Sequence, residues 1–255
     1  MGMIRSESSG GVTTIRLSRP EVRNALDDAL IAELTAAVAS VPATTKVLVL
    51  SGEGPVFCSG ADAEWMRRSR TFSREENRRD AAAVSTLLRA VDECPLPVVG
   101  RIHGAALGGG AGLAAACDVA VAEEGTRFGF PEVRLGIVPA VVSTYVLPKI
   151  GVGAARRYFL TGERFGTAEA LSMGLIHEVA PAGKIDEKVA AVVADLLQGG
   201  AQALRAAKRL IREYGARSRE QAIEESIRLI AELRVSPEAQ EGLAAFLEKR
   251  KPEWP

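Results

Sequence analysis

Short strand patterns alternate with helical patterns in the first half of the chain, and this alternation limits the folds open to it. Apolar and polar residues alternate in Val12–Leu17, and residues 47–50 form an apolar run that ends at a serine and a glycine. Both patterns predict strands. Five apolar residues recur between them at helical spacing: Leu26, Leu30, Leu34, Val38 and Val41. A second unit follows, with a helical stripe at residues 84–91 and a strand at Val98–Ile102. Strands that alternate with helices predict an α/β core.

The last third of the chain has helical spacing without a strand pattern. Four segments show it: 190–197, 203–214, 222–233 and 237–249. Ser236, with the proline and glutamate that follow it, is typical of a helix N-terminus, as Asn24 or Asp27 is for the first helix. We therefore predict an α/β core at residues 1–195 and a helical region at residues 196–255.

The charge balance of the chain argues against two broad classes of partner. Its 32 basic and 32 acidic side chains cancel, so the chain as a whole offers no field that attracts nucleic acid or an anionic membrane surface. Three cysteines, Cys58, Cys94 and Cys117, are widely spaced and form no CxxC pair. They are typical of reduced thiols and predict neither a disulfide nor a metal site.

The first eleven residues are polar and glycine-rich, and they lack the charged start and apolar run of a signal peptide. No apolar stretch of the sequence reaches the length that is needed to cross a membrane. We therefore expect a cytoplasmic protein without a membrane partner.

The densest motif is the glycine-rich segment 104–112 (GAALGGGAG), which follows a predicted strand and leads into an alanine-rich helix. Glycines let a backbone turn sharply and approach a ligand closely. They also leave free N–H groups at a helix N-terminus, where negative charge is favoured. The alternative is tight packing of the helix against the sheet, and the glycine-rich turn alone leaves both interpretations open.

Two familiar nucleotide-binding loops do not fit this segment. A Walker loop requires Gly-Lys followed by Ser or Thr, and that sequence does not occur here. The spacing of Gly110, Gly112 and Ala115 imitates a dinucleotide-binding loop, but the helix has only about one or two turns before the strand predicted at 118–122. Because that is too short for an ordinary crossover, nicotinamide binding is not predicted.

A second loop of small residues, 57–62 (FCSGAD), follows the strand at 47–50 and a turn with two glycines. Small residues at this place expose main-chain N–H groups. Two strand-end loops of this kind could converge on one oxygen that gains negative charge during a reaction. Taken alone, the loop predicts only a turn.

Four motifs in order along the chain carry a resemblance to a known family. They are residues 19–26 (RPEVRNAL), 57–62 (FCSGAD), 106–110 (ALGGG) and 128–136 (FGFPEVRLG). In order and spacing, over nearly the whole chain, they resemble the successive motifs of the enoyl-CoA hydratase/isomerase (crotonase) family. The resemblance implies the crotonase (ClpP-like) fold, an α/β spiral of strand, strand, helix units with a C-terminal helical trimerisation region.

The resemblance also implies which residues form the site. It assigns the two N–H groups of an oxyanion hole to Ala61 and Gly109. The residues that it implies to contact the acyl-CoA substrate are Arg23, Ala25, Asp62, Ala63, Glu64, Gly108, Phe246 and Lys249. Arg23 and Ala25 would lie near the phosphates and adenine of coenzyme A, while Phe246 and Lys249 belong to a tail that reaches it, often across a subunit boundary. For Lys249, a solvated helix end is an equally good interpretation.

Glu132 is the predicted acid/base residue. It follows a proline in an otherwise apolar stretch, where partial burial would raise the pKa of its carboxyl group towards the range of a proton shuttle. Without the resemblance, a single glutamate in a loop is usually solvated. Hydratases of this family commonly have a second glutamate two residues beyond the glycine triplet, and Gly112 occupies that position here. The exact reaction therefore stays open.

Several other residues have two interpretations. His103 either touches the acyl group or is structural, and the second is favoured for a histidine that ends a buried strand. Trp65, Met66 and Tyr145 either shape an acyl pocket or pack in the core, and core packing is favoured for each. No Ser-His-Asp or Cys-His arrangement is evident in the sequence.

The resemblance implies an enzyme, a hydro-lyase that adds water reversibly to a 2-enoyl-CoA through an enolate held in the oxyanion hole. The alternatives are a 3-enoyl to 2-enoyl-CoA isomerase with a single carboxylate and a non-catalytic acyl-CoA-binding scaffold. The expected partners are an acyl-CoA of fatty acid metabolism and further copies of the chain, in a homotrimer or a dimer of trimers. No metal, flavin or nicotinamide is expected, because coenzyme A is part of the substrate. Residues 132–140 and 156–162 resemble a subgroup that acts on methylglutaconyl-like, branched acyl-CoAs.

Overall fold

The structure, a computed structural model that describes residues 2–254, begins with an antiparallel hairpin. Strands β1 (Ile4–Ser9) and β2 (Val12–Leu17) are joined at Gly10 and Gly11, which both have positive φ. A two-residue loop of this conformation matches the twist of paired strands, and glycine adopts it without strain. The hairpin forms one edge of the main sheet.

Seven further strands follow along the described part of the chain. They are β3 (Val47–Gly52), β4 (Val98–Ile102), β5 (Ala105–Leu107), β6 (Val119–Glu123), β7 (Arg127–Gly129), β8 (Arg164–Phe165) and β9 (Glu178–Ala180). The main sheet has the order β1-β2-β3-β4-β6-β9, and every pair beyond the hairpin is parallel. A small sheet has the order β5-β7-β8 and lies next to the end of β4 in the chain. Strand β5 of the small sheet lies within the glycine-rich segment 104–112.

Ten helices surround these sheets within residues 2–254. They are α1 (Asp28–Ala39), α2 (Ala63–Ser69), α3 (Arg74–Asp92), α4 (Gly109–Ala116), α5 (Ala140–Thr161), α6 (Thr167–Ser172), α7 (Ile185–Leu197), α8 (Ala201–Glu213), α9 (Arg219–Arg234) and α10 (Pro237–Leu247). Helix α5 is kinked at Gly151, whose φ of 70° and ψ of 166° are not helical. Short 3-10 helices lie at Pro20–Val22, Pro131–Leu135 and Tyr214–Ala216.

The main sheet is covered on both faces, and β3 shows this most clearly because all six of its residues are buried. Leu48 and Leu50 join the large core that α1, α3, α4 and α5 complete. Val47 and Val49 point to the other face, where they pack with residues of α7. A parallel strand covered on both faces needs apolar residues on both, which explains the apolar run at 47–50.

The predicted α/β class is confirmed, and the individual elements differ from their predictions at a few places. The strand predicted at 118–122 is β6, shifted by one residue, and Asp27 rather than Asn24 caps α1 by accepting from the Leu30 N–H at 2.8 Å. The predicted cap at Ser236 is present, since its hydroxyl accepts from the Ala239 N–H. Strand β1, within the polar N-terminal segment, was not predicted. The division predicted at residue 195 falls in the last turn of α7 and stays a prediction.

Candidate active site

Two loops that follow β3 and β4 run side by side. Cys58 pairs with Ala106 in a parallel bridge, because its N–H donates to the Ala105 carbonyl and its own carbonyl accepts from the Leu107 N–H, each at 3.1 Å. The next residues also lie against each other, because a Cβ added to Gly60 would meet the Leu107 carbonyl oxygen at 2.8 Å. The two predicted oxyanion-hole residues, Ala61 and Gly109, line the same cleft.

The N–H of Ala61 points away from the segment that contains Leu26. Leu26 pairs with Ala61 in a parallel bridge by donating to the Gly60 carbonyl at 2.7 Å and accepting from the Asp62 N–H at 2.9 Å. Both bonds go to the residues that flank Ala61, so the N–H of Ala61 is left on the opposite side. None of the described residues accepts a hydrogen bond from it.

Gly109 is the first residue of α4, and an N–H at that position has no partner within its helix. The position of α4 depends on close contact with the neighbouring loop. A Cβ added to Gly110 would lie 2.4 Å from the Cys58 carbonyl oxygen, which is too close for any side chain. Glycine at 110 therefore lets α4 start against the loop that carries Ala61.

Glu132 lies on the same cleft, in the 3-10 helix Pro131–Leu135. Its carboxylate is close to the glycine turn, because a Cβ added to Gly108 would lie 3.0 Å from Glu132 Oε1. Its other oxygen, Oε2, is buried and has no hydrogen-bond partner among the described residues. Burial raises the pKa of Glu132 above its ordinary value, and a backbone hydrogen bond opposes this only in part. A carboxyl group of this kind is suited to taking up and returning a proton.

The cleft that unites these groups has a volume of about 470 Å³. Ala61, Gly108, Gly109 and Glu132 all line it. The rest of its wall is largely apolar and comes from α2, α3 and the segment that leads into α5. Trp65 and Met66 belong to this wall, whereas Tyr145 does not.

A second groove, of about 620 Å³, adjoins the cleft, and Ser59, Ala61 and Trp65 line both. Five of the predicted substrate-binding residues line the groove: Arg23, Ala25, Asp62, Ala63 and Glu64. Arg23 is exposed there, and none of the ion pairs between described residues involves it. The groove therefore offers an unpaired guanidinium group next to the cleft.

Arg19 fixes the shape of this groove, a role that the sequence did not reveal. Its guanidinium donates to the Ala25 carbonyl at 2.7 Å and pairs with Asp27 at 2.9 Å and with Asp62 at 3.1 Å. Only 15% of the Arg19 side chain is exposed. Asn24 supports the same turn, because its side chain accepts from the Arg19 N–H and donates to two carbonyls beyond β3. The contact of Arg19 with Asp62 and those of Asn24 with the carbonyls beyond β3 join distant segments, which a single sequence does not disclose.

Asp62 also has a structural role that was not predicted. One carboxylate oxygen, Oδ1, accepts from the N–H groups of Glu64 and Trp65 and so caps α2. The other, Oδ2, is paired with Arg19. Both oxygens are therefore occupied within the protein, and the side chain positions α2 instead of being free to bind a ligand.

The position at which the hydratases that this sequence resembles commonly carry a second glutamate is closed in this chain. Gly112 lies in α4 and packs directly against α5, since a Cβ at this position would meet Val142 Cγ1 at 2.5 Å and Leu88 Cδ1 at 3.4 Å. Val142 also lines the cleft. An apolar side chain therefore occupies the space beside Gly112 where a second carboxylate would lie.

Gly112→Ala is expected to lower the free energy of unfolding by about 1–3 kcal/mol, because the added methyl group overpacks the contact with Val142. Adding Val142→Ala is expected to recover part of this loss. Urea unfolding measures both variants. Gly153→Ala is the matched control, since a Cβ there meets nothing within 4 Å in an exposed part of α5. Equal losses in the control and in Gly112→Ala would contradict the assigned contact.

Some residues considered at the sequence level lie outside the cleft. Phe246 is 79% exposed on α10, and neither it nor Lys249 lines the cleft or the groove within this chain. His103 is structural, because its Nδ1 accepts from Arg101 and its Nε2 donates to the Gly54 carbonyl. Cys58 is buried, and burial raises the pKa of its thiol to about 12, so it is not a nucleophile at neutral pH.

Residues 2–254 contain no group of three or more His, Cys, Asp or Glu side chains that could hold a metal ion. None of their helices combines the length and the apolarity that crossing a bilayer requires.

Comparison with known proteins identifies the family. The family model described as enoyl-CoA hydratase/isomerase matches residues 7–255. A protein of Rhodobacter capsulatus named as a probable enoyl-CoA hydratase is 37% identical over 257 residues, covering 98% of this chain and 97% of the relative. The 2,3-dehydroadipyl-CoA hydratase of Escherichia coli is 30% identical, with coverages of 95% and 94%.

Solved structures show the same fold. The enoyl-CoA hydratase of Mycobacterium smegmatis superposes with a TM-score of 0.95 at 30% identity, covering all of this chain and 99% of the other. The enoyl-CoA hydratase of Shewanella pealeana superposes with a TM-score of 0.94 at 34% identity, with coverages of 99% and 96%. The chain therefore belongs to the enoyl-CoA hydratase/isomerase (crotonase) family. It is an enzyme of the hydratase type with the crotonase fold, as the resemblance predicted.

Proposed function

We propose that this chain adds water reversibly to the double bond of a 2-enoyl-CoA thioester. The observation that carries the proposal is the buried, unpartnered Oε2 of Glu132 in a cleft that Ala61 and Gly109 also line. With the N–H groups of Ala61 and Gly109 as donors, this arrangement would combine a proton-transfer group with two donors for one oxygen. It has the parts that hydration through an enolate requires.

In the proposed reaction the thioester oxygen accepts hydrogen bonds from Ala61 and Gly109. Attack of water at C3 moves electron density through the double bond onto this oxygen, which becomes the oxygen of an enolate. Donors that are already in position are worth most at this stage, because they need no rearrangement when the charge develops. Each contributes about 3 kcal/mol of transition-state stabilisation in comparable sites.

Glu132 handles the proton in this proposal. Its carboxylate removes a proton from water as the water oxygen bonds to C3, and the resulting carboxylic acid delivers a proton to C2 when the enolate collapses. One proton is taken and one is returned, so a single carboxyl group completes the cycle. The raised pKa of Glu132 supports this role, because burial makes its carboxylate a stronger base than that of an ordinary glutamate.

We propose that the adjoining groove binds coenzyme A. Arg23 would pair with its phosphates, while Ala25, Ala63 and Glu64 would line the path towards the thioester. Phe246 and Lys249 would reach coenzyme A from a neighbouring subunit in a homotrimer or a dimer of trimers. In support, the C-terminal helical region exposes large apolar side chains that a monomer leaves in water: Ile211, Tyr214, Val235, Phe246 and Leu247. The reaction needs no metal, flavin or nicotinamide.

Incubation with crotonyl-CoA tests hydration directly. The absorbance of the conjugated enoyl thioester is expected to fall as 3-hydroxybutyryl-CoA forms, and the reverse reaction is expected to restore it. A parallel incubation with 3-hexenoyl-CoA is the comparison. Conversion of 3-hexenoyl-CoA to the conjugated 2-enoyl thioester without any loss of crotonyl-CoA absorbance would replace hydration by isomerisation.

The isomerase remains the second candidate because of Gly112 and Val142. Moving a double bond from C3 to C2 requires one group that removes a proton from C2 and returns it to C4, and Glu132 alone can do this. The apolar contact beside Gly112 is compatible with such a one-carboxylate reaction. The same two N–H groups would stabilise the dienolate.

A further inference from the structure

The largely apolar wall of the cleft would contact the acyl group of a bound thioester. Helices α2 and α3 and the segment that leads into α5 form this wall, which we call the acyl end. Its apolar residues include Trp65, Met66, Val84, Ile137, Val138 and Val141. Such a surface favours a hydrocarbon chain, because binding removes apolar area of both partners from water.

The charged residues of the cleft are all of one sign. Among the described residues that line it, there is no lysine, arginine or histidine, and the two ionisable carboxyl groups are Glu132 and Asp80. Glu132 belongs to the proposed reaction centre. Asp80 belongs to the acyl end and takes no part in the proposed reaction.

Contacts within the protein hold Asp80 at this position. It is half-buried on α3, and its Oδ1 accepts from the indole N–H of Trp65 on α2 at 2.9 Å. Arg68, a cation near it, is paired with Asp28 at 2.7 Å and does not line the cleft. The charge of Asp80 is therefore not compensated by a cation in the cleft wall.

We infer that the acyl end accepts uncharged acyl chains and that Asp80 excludes chains that end in a carboxylate. This inference rests on the proposed function, because it assigns the substrate class of the same cleft. A terminal carboxylate would lose its hydration among apolar side chains and find Asp80 in place of a cation. Methylglutaconyl-like acyl groups, which the sequence resemblance suggests, carry such a carboxylate, so the lining of the cleft argues against them.

Two saturated thioesters of equal length separate this inference from the question of turnover. Hexanoyl-CoA ends in a methyl group and adipoyl-CoA ends in a carboxylate, and neither can be hydrated. Titration calorimetry at low salt is expected to give a dissociation constant about a hundredfold higher for adipoyl-CoA. Equal affinities, or tighter binding of adipoyl-CoA, would overturn the inference. Failure of the proposed function would show differently, as no loss of crotonyl-CoA absorbance.

A charge-removing variant tests the assignment to Asp80. Asp80→Asn keeps the shape and an acceptor for Trp65, and it is expected to lower the ratio of the two dissociation constants about tenfold or more. Glu75→Gln is the matched control, since it removes one negative charge from the exposed start of the same helix, outside the cleft. A ratio that stays at its wild-type value in Asp80→Asn, or that falls equally in Glu75→Gln, would overturn the role of Asp80.

Discussion

Replacement of Glu132 by glutamine is expected to lower kcat about 10²–10⁴-fold, the range that positioned acid/base groups contribute. The amide keeps the size of the side chain but cannot take a proton from water. Steady-state rates with the best substrate of the assay panel measure the effect. Glu124→Gln is the matched control, because Glu124 is exposed and does not line the cleft. Retention of wild-type kcat by Glu132→Gln would remove Glu132 from the mechanism.

The same variant is expected to be more stable than the wild type at neutral pH. The raised pKa of Glu132 means that the folded protein binds this proton more tightly than the unfolded chain does. The favourable contribution of protonated Glu132 to the free energy of unfolding is therefore fully present below the ordinary carboxyl pKa of about 4.3. This contribution is lost as the pH rises through the raised pKa of Glu132 in the folded protein. Glutamine has no charge to bury, so the stability gain of Glu132→Gln should vanish at acidic pH. Urea unfolding at several pH values measures this difference.

Gly109→Pro is expected to lower kcat about 10²–10³-fold, because proline removes one of the two N–H donors of the oxyanion hole. The first position of a helix tolerates proline, since the N–H there has no intrahelical partner. The fold should therefore survive, as thermal unfolding followed by circular dichroism would show.

Gly109→Ala separates the loss of the N–H from the effect of added bulk. It keeps the donor and adds a Cβ that meets the flexible end of Leu26 at 2.8 Å. Its kcat is expected to lie much closer to that of the wild type than the kcat of Gly109→Pro does. If both variants lose the same activity, crowding against Leu26 and not the missing donor explains the loss.

The sequence correctly predicted those strands whose pattern of apolar residues follows from which of their faces are buried. The apolar run at 47–50 and the alternation in Val12–Leu17 are direct consequences of the faces that these strands cover. Strand β1 escaped prediction because five of its six residues are exposed, so its conformation depends on pairing with β2 and not on its own hydrophobic pattern.

For the site, the sequence indicated the residues of the motifs but not the contacts between distant segments. Gly112 was recognised as a departure from related hydratases, whereas its contact with Val142 depends on how α4 packs on α5. Asp80 is a single acidic residue on an amphipathic helix, and only the position of Trp65 on α2 distinguishes it from a solvated one. Phe246 and Lys249 stay predictions, since their proposed contacts involve a second copy of the chain.

The bridge between Cys58 and Ala106 has a consequence for the breadth of substrates that this fold can serve. Both proposed donors are main-chain groups of the two segments that this bridge joins, so side-chain replacements on α2, α3 or the start of α5 remove neither of them. Libraries of variants with side-chain replacements only in those three elements should therefore differ in the thioester that they bind, while every variant keeps the same two main-chain donors.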